Sequence, residues 1–383
     1  MTTPDITKLK VAIVHDWLTN LGGAEKVVLA MLEALPQADL YTSVYCSRGM
    51  AKAFEGRTIQ TSFLQKVPLA RQKHQLFSVW RRYAFEAFDF SDYDMVISST
   101  TAEAKGIITP ESTLHISYIN TPTRYYWSHY EKYLADPGFG ILDPLARFQL
   151  RRTIKKSRLW DFAAAQRPDL VLANSKTIKD RIGKYYKRQA EVLYPPVDIE
   201  KFKIKTPRPQ DVPEKYFVVA SRLIPYKRFD IAVKAARQSN KRLVVIGEGS
   251  ELPKLKELAS EDALFKGYTS DDEMVAYLQH AEALLFPGEE DFGIAPVESM
   301  AARTPVIAYA SGGATETVLD GRTGVLVPSQ NVSDWVEALR DFDPNKYTTA
   351  DLDKQVEVFS QNNFRNNFNT ILEKGIEWHK NRL

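Results

Sequence analysis

Short runs of apolar, β-branched residues alternate along the chain with stretches whose apolar positions recur every three to four residues. In the first half the apolar runs are Lys10–Val14, Met95–Ser98, Leu114–Tyr118 and Leu170–Ala173. Each is too short for a helix and lacks polar alternation, as expected of parallel strands buried on both faces. Between the first two, Ala24–Leu35 places Val27, Val28, Met31, Leu32 and Leu35 on one helical face. In the second half the same alternation gives strands at Tyr216–Ala220, Arg242–Ile246, Ala263–Lys266, Ala283–Phe286 and Pro305–Ala308. Helices are expected at Phe229–Gln238, Leu252–Ala259, Asp271–His280 and Pro296–Ala302.

The two arrays are separated by LYPPVDIEKFKIKTPRPQDVP, which starts at Leu193 and carries five prolines. Proline removes a backbone donor and fixes φ, so this stretch reads as a linker. The expected organisation is two doubly wound α/β domains, 1–195 and 196–362, with a last helix in 363–383.

Composition narrows this only slightly. Of 383 residues, 44% are hydrophobic and 26% charged, ordinary for a globular protein. The single cysteine, Cys46, excludes an internal disulfide framework and any cysteine-rich zinc site, and fits a reducing cytosol. The longest apolar run, Val27 to Leu32, is far short of the ~20 residues of a spanning helix. MTTPDITKLK has no apolar leader core, so no secretory signal is expected. The net charge of +3 hides an asymmetry: residues 1–198 carry 27 Lys/Arg and 20 Asp/Glu, residues 199–383 carry 24 and 28. Two halves of opposite sign suggest two different partners.

Candidate chemistry is densest in the second half. Arg222 and Lys227 follow the strand ending near Ser221, at the carboxyl end where open α/β sheets bind ligands. Arg grips two oxygens and Lys adds a compact charge, a combination suited to a diphosphate; a solvated basic loop is the plainer alternative. Gly247-Glu248-Gly249 follows a strand and is part of a dinucleotide fingerprint, but Leu252 stands where the third glycine belongs. Those glycines permit either ligand approach or a tight turn. Glu290-Asp291-Phe292-Gly293-Ile294-Ala295-Pro296-Val297-Glu298 follows another buried strand. Pro296 suits a first helical turn, and Gly293 before it leaves backbone amides open to an anion. Glu290 on the loop and Glu298 one turn into the helix can reach different parts of one bound molecule, Glu298 two ribose hydroxyls and Glu290 a sugar; an acidic helix N-terminus stabilised by its dipole is the plainer alternative and accounts for the Glu289–Asp291 run. Gly312-Gly313 and Asp320–Gly324 are glycine turns, the second structural.

The first half has one matching loop. Val11–Val14 leads to His15-Asp16-Trp17, and Gly22-Gly23-Ala24-Glu25 opens a helix. The glycines allow approach to a phosphate or an acceptor hydroxyl; Glu25 reads equally as a first-turn acid. Asn120 to Arg124 follow a strand and face the same edge, whereas His115 lies within that strand and reads as a core histidine.

Together these residues resemble glycosyltransferase family 4, retaining enzymes of the GT-B fold, from His15 to Gly324. Glu290-x7-Glu298 with Arg222, Lys227 and Gly22-Gly23 is the most specific part of the likeness. HDWL, GGAEKV and TPTRYYW look most like bacterial mannosyltransferases of surface polysaccharide synthesis. The resemblance implies two Rossmann-like domains facing a central cleft, and a last helix crossing back to the first. It implies that Arg222 and Lys227 neutralise the diphosphate of a nucleoside diphosphate sugar, GDP-mannose being the expected donor. Glu298 would hold the ribose and Glu290 the sugar. The backbone of Phe292, Gly293 and Ile294, with Gly247, Gly22 and Gly23, would complete the donor site. No cofactor and no metal are expected, because the cations and helix N-termini would stabilise the leaving group. Retention in this family is explained by front-face attack, with the donor phosphate taking the acceptor proton. The family commonly carries His where this chain has Asn120, which hydrogen-bonds but does not titrate near neutrality, and Gly where it has Arg303.

The acceptor side is read from charge. Arg147, Arg151, Arg152, Lys155, Lys156 and Arg158 form a basic run with no acid between them. Lys66, Arg71, Lys73, His74, Phe77, Trp80, Arg81, Arg82, Tyr83 and Phe85 mix bases with aromatics, and a solvated helix face is the plainer alternative. Arg81, Arg82, Arg151, Arg152, Lys155 and Lys156 are thus expected on a surface that meets an anionic membrane or a lipid-linked or oligosaccharide acceptor, on the cytoplasmic side. No nucleic-acid recognition motif accompanies the charge. The alternatives are an epimerase or phosphorylase of the same fold, or a non-catalytic nucleotide-sugar binder.

Overall fold

A computed structural model describes residues 6–47, 50, 52–135, 140 and 143–382. The first five residues, on which the reading of the N-terminus partly rests, lie outside the described residues. The chain divides into two compact units, Met1–Pro195 with Phe364–Leu383, and Pro196–Asn363.

The first unit is built on seven parallel strands: β1 (Val11–His15), β2 (Asp39–Thr42), β3 (Ile59–Thr61), β4 (Met95–Thr100), β5 (Leu114–Ile119), β6 (Leu170–Ala173) and β7 (Glu191–Val192). Their order is β3-β2-β1-β4-β5-β6-β7, so strand order reverses between β1 and β4. Both faces are covered. Val11 and Ile13 point into a core shared with helix Gly23–Ala34 and the last helix, Gln361–Arg382, through Val28, Met31, Phe368 and Leu372. Their neighbours Ala12 and Val14 pack on the opposite face against Phe85, Phe90 and Ile107. That period of two, apolar on both sides, is why these strands read as unbroken apolar runs.

The second unit repeats the plan with β8 (Phe217–Ala220), β9 (Leu243–Ile246), β10 (Ala263–Gly267), β11 (Ala283–Phe286), β12 (Val306–Tyr309) and β13 (Gly324–Val327). The order β10-β9-β8-β11-β12-β13, all parallel, is that of a dinucleotide-binding fold, with the reversal between β8 and β11. Helices Phe229–Gln238 and Val332–Asp341 cover one face, and the fully buried Trp335 fills the space between them and the sheet. The fold is therefore α/β, with two Rossmann-like units of parallel sheet. Among the described residues no helix is long and apolar enough to cross a membrane.

Candidate functional site

In the second unit, two side chains meet at the reversal point. The segment after β8 turns through a short 3-10 helix, Pro225–Lys227, and the segment after β11 carries Glu290. The Lys227 Nζ is paired with Glu290 Oε1, both side chains being largely buried. Lys227 is held by its surroundings. Gly288 lies so close that a Cβ on it would stand 2.9 Å from the Lys227 Cα and carbonyl oxygen. The next cation, Arg228, has φ 54° and is tied to Asp230 Oδ1 at 3.0 Å and Gln330 Oε1 at 3.0 Å. Lys227 is thus aimed at the strand ends, while Arg228 is used up in holding the loop. Arg222 stands exposed just beyond β8.

Glycines bring these loops together. A Cβ on Gly247 would lie 1.9 Å from the Ser221 carbonyl oxygen, and one on Gly249 2.2 Å from that of Leu223. Both have positive φ, so no other residue fits. The Gly-x-Gly turn is therefore required by the protein's own backbone, and it braces the loop that carries Arg222. Gly313 does the same for the acidic segment: its N–H donates to the Glu290 carbonyl at 2.8 Å, and its missing Cβ would clash with the Phe292 backbone. The support from Gly288, Gly313 and Gln330 was not assigned from sequence; closely spaced glycines after strand ends were its only trace.

Helix Ile294–Ala301 begins at Gly293, which caps it with φ 82°. The positive φ turns the chain so that the amides of the first turn open at the sheet edge. Phe292 packs its ring on Phe359, with centroids 5.4 Å apart. Glu298 lies one turn into the helix and is partly buried. Arg222, Gly247, Lys227, Glu290, Phe292, Gly293, Ile294 and Glu298 therefore all belong to the carboxyl edge of one sheet or the helix that follows it.

In the first unit the corresponding edge carries Gly22, Gly23 and Asn120. Gly22 caps helix Gly23–Ala34, and its N–H donates to Glu25 Oε2 at 2.9 Å. The Asn120 Nδ2 donates to the Ser99 hydroxyl at 3.3 Å. The segment after Asn120 is fixed by a buried network. Asp161 accepts from Lys105 Nζ (2.6 Å), Thr123 Oγ1 (2.8 Å), Trp127 Nε1 (2.7 Å) and Tyr186 OH (2.7 Å). His115 is buried within β5, with Nε2 3.0 Å from the Ser98 hydroxyl. Burial, with Arg167 and Arg188 adding, pulls its imidazole down to about 3.

The surface expectation for Arg81 and Arg82 is corrected. Both are buried, at 1% and 8% exposure, because helix Ser78–Glu86 turns them toward the core. The Arg81 Nε donates to Glu103 Oε2 at 2.8 Å. The Arg82 Nη2 donates to the Tyr126 hydroxyl at 2.7 Å and the Ser157 hydroxyl at 2.6 Å. Arg151, Arg152, Lys155 and Lys156 do lie exposed on helix Asp143–Ala164.

Two family models match the chain in succession. Residues 21–201 match glycosyltransferase family 4, and residues 200–359 match the glycosyl transferases group 1. The chain belongs to the GT-B glycosyltransferases of the family 4 type. Alpha-1,3/1,6-mannosyltransferase ALG2 of Kluyveromyces lactis is 26% identical to it over 94% of this chain and 80% of that protein. A GDP-mannose-dependent alpha-(1-6)-phosphatidylinositol monomannoside mannosyltransferase of Mycolicibacterium smegmatis is 29% identical over 55% of this chain and 59% of its own. This glycosyltransferase-family chain spans only about half the length of several curated relatives that it matches. The crystal structure of Anabaena HepE in complex with UDP-glucose has the same fold, with a TM-score of 0.67 at 17% identity, covering 95% of this chain and 99% of that one.

Proposed function

We propose that this protein transfers a sugar from a nucleoside diphosphate sugar, GDP-mannose in the first instance, to a lipid-linked or surface glycan acceptor, with retention at the anomeric carbon. The observation that carries this reading is the Lys227–Glu290 pair across the reversal point of the second sheet. The Glu290 carboxylate neutralises the Lys227 cation. A bound diphosphate would take over Lys227, together with Arg222, and leave Glu290 to accept from sugar hydroxyls. The relatives named for mannosyl transfer support mannose, and the one named for GDP-mannose supports the base.

In the reaction the bond from the anomeric carbon to the phosphate oxygen breaks and its electron pair leaves with the diphosphate. The acceptor oxygen bonds to the same face, and its proton passes to the departing phosphate. Arg222, Lys227 and the amides around Gly293 stabilise the charge that develops there. Two cations in place supply what a metal ion would, so activity persists in chelator. Labelled GDP-mannose and UDP-glucose offered with lipid-linked and oligosaccharide acceptors test the reading, and the anomeric configuration of the product tests retention. Failure with every donor and acceptor would refute it.

On the acceptor side, helix Asp143–Ala164 buries Ile154, Ser157, Asp161 and Ala164 and turns the opposite face outward. That face presents Leu145, Phe148 and Leu159, 60–72% exposed, among Arg151, Arg152, Lys155 and Lys156. Apolar side chains among cations, with no acid exposed between them, suit an anionic membrane on its cytoplasmic face. Salt-sensitive binding to anionic vesicles, lost when the four cations are neutralised, is the expected result.

A further inference from the structure

The reversal point of the first sheet carries an ionisable pair that has no part in the reading above. β1 ends on His15, and Ser99 of β4 is its register partner. The His15 Nδ1 lies 2.9 Å from the Ser99 carbonyl oxygen. A carbonyl only accepts, so Nδ1 carries a hydrogen. The other ring nitrogen, Nε2, faces Glu25 Oε1 at 3.6 Å, and both side chains are buried. A neutral ring would therefore turn a lone pair toward a carboxylate; one proton between them removes that repulsion. The second Glu25 oxygen accepts the Gly22 N–H, and the Ser99 hydroxyl accepts from Asn120. A chain of neighbours thus runs unbroken from Asn120 through Ser99, His15 and Glu25 to Gly22.

We infer that His15 and Glu25 share the titrating proton of the first unit's site, and that His15 is a positioning residue. It sets Asn120 through Ser99, and the Gly22–Gly23 turn through Glu25. This inference rests on the transfer reading, since it assigns how that activity responds to pH. Asn120 has no proton to exchange near neutrality, so pH enters through this pair. The charged groups around the ring are few. Glu25 faces it from helix Gly23–Ala34, and Asp16 follows it in the chain; the register partners Thr42 on β2 and Ser99 on β4 are uncharged. Asp16 is itself engaged by the backbone N–H groups of Thr101 (2.5 Å), Ala102 (2.9 Å) and Ala104 (2.8 Å). Burial works against the charged ring, yet Glu25, with Asp16 and the Ser99 carbonyl, holds it above its ordinary 6.5. As pH rises through that raised value the proton is lost, and Glu25 faces a lone pair. The Gly22 turn then loses its fixed acceptor.

The test is imidazole nitrogen NMR on the full chain as a function of pH, for the wild type and Glu25→Gln, with kcat/KM measured on the same proteins. Glutamine keeps an oxygen for the Gly22 N–H and removes the charge. The expected wild-type spectrum has hydrogen on Nδ1 and a midpoint above 6.5. In Glu25→Gln the midpoint and the alkaline limb of kcat/KM move to lower pH together, and in His15→Gln that limb disappears. A wild-type midpoint at or below 6.5, or a limb that stays put in Glu25→Gln, overturns the inference. A His15 that titrates as expected in a protein that transfers no sugar refutes the transfer reading, and supports the pair as proton holder.

Discussion

Asp161→Asn removes a buried charge on which four donors of the first unit converge. That charge is opposed by Lys105, both residues being buried. Asparagine keeps the shape but turns an N–H₂ toward two of those donors and leaves Lys105 without a counter-charge. Breaking a buried pair from one side costs about 3–5 kcal/mol, a large share of the ~5–15 kcal/mol that holds a domain folded. Five of the six tryptophans, Trp17, Trp80, Trp127, Trp160 and Trp378, lie in the first unit, so intrinsic fluorescence follows its unfolding in urea. With a urea slope of about 3 kcal/mol per molar, the midpoint should fall by about 1–2 M. Lys105→Met in the Asp161→Asn background should recover part of the loss, because the uncompensated cation is gone. A midpoint within about 0.3 M of the wild type, or a double mutant as costly as the two singles added, would refute the reasoning.

Arg303 sits at φ 63° where the helix Ile294–Ala301 ends, and its exposed pairing with Asp353 at 3.7 Å offsets little of that strain. Arg303→Gly should raise the second unit's stability by about 0.5–1 kcal/mol, read as a higher urea midpoint. Gly313→Ala should cost several times as much and abolish nucleotide binding by calorimetry, because its Cβ would meet the Phe292 carbonyl at 2.2 Å. Stability should be greatest near pH 6.5. Burial above all, with Arg81 beside His74 and Arg167 and Arg188 around His115, holds both rings near about 3, so the unfolded chain binds more protons between there and 6.5. Each then costs about 1.4 kcal/mol per pH unit below 6.5, whereas the raised His15 adds stability that is lost as pH climbs through its folded value. Urea midpoints from pH 4.5 to 8 check this, and His115→Asn should halve the acid slope.

Much of both sheets was legible from the apolar runs, because strands covered on both faces have no polar alternation to confuse them. β2, β3 and β7 were not: Asp39–Thr42 and Ile59–Thr61 mix polar residues with apolar ones, and β7 has two residues. β13 was hidden by its own first residue. Gly324 closes the Asp320–Gly324 turn and also starts a strand, where any Cβ would meet the Val306 carbonyl at 2.0 Å. Helix Asp143–Ala164 gave no clear core stripe, since its buried face includes Ser157 and Asp161 while Leu145, Phe148 and Leu159 point outward. The same polar core misled the reading of Arg81 and Arg82. Their partners Glu103, Tyr126 and Ser157 lie 22 to 75 positions away, and no local pattern announces them. Arg222, Lys227 and Glu290 lie at one edge because loops after parallel strands converge there, whatever their distance in sequence.

The most direct measurement is acceptor-dependent transfer from labelled GDP-mannose by the wild type, Lys227→Ala and Glu290→Ala, each checked for fold by circular dichroism. The wild type should give product of retained configuration. Lys227→Ala should lose at least about a hundredfold in rate, the scale of removing one group that stabilises developing charge, and Glu290→Ala should lose about as much because the donor sugar is no longer oriented. Full-rate transfer by Lys227→Ala or Glu290→Ala would contradict the role given to the pair.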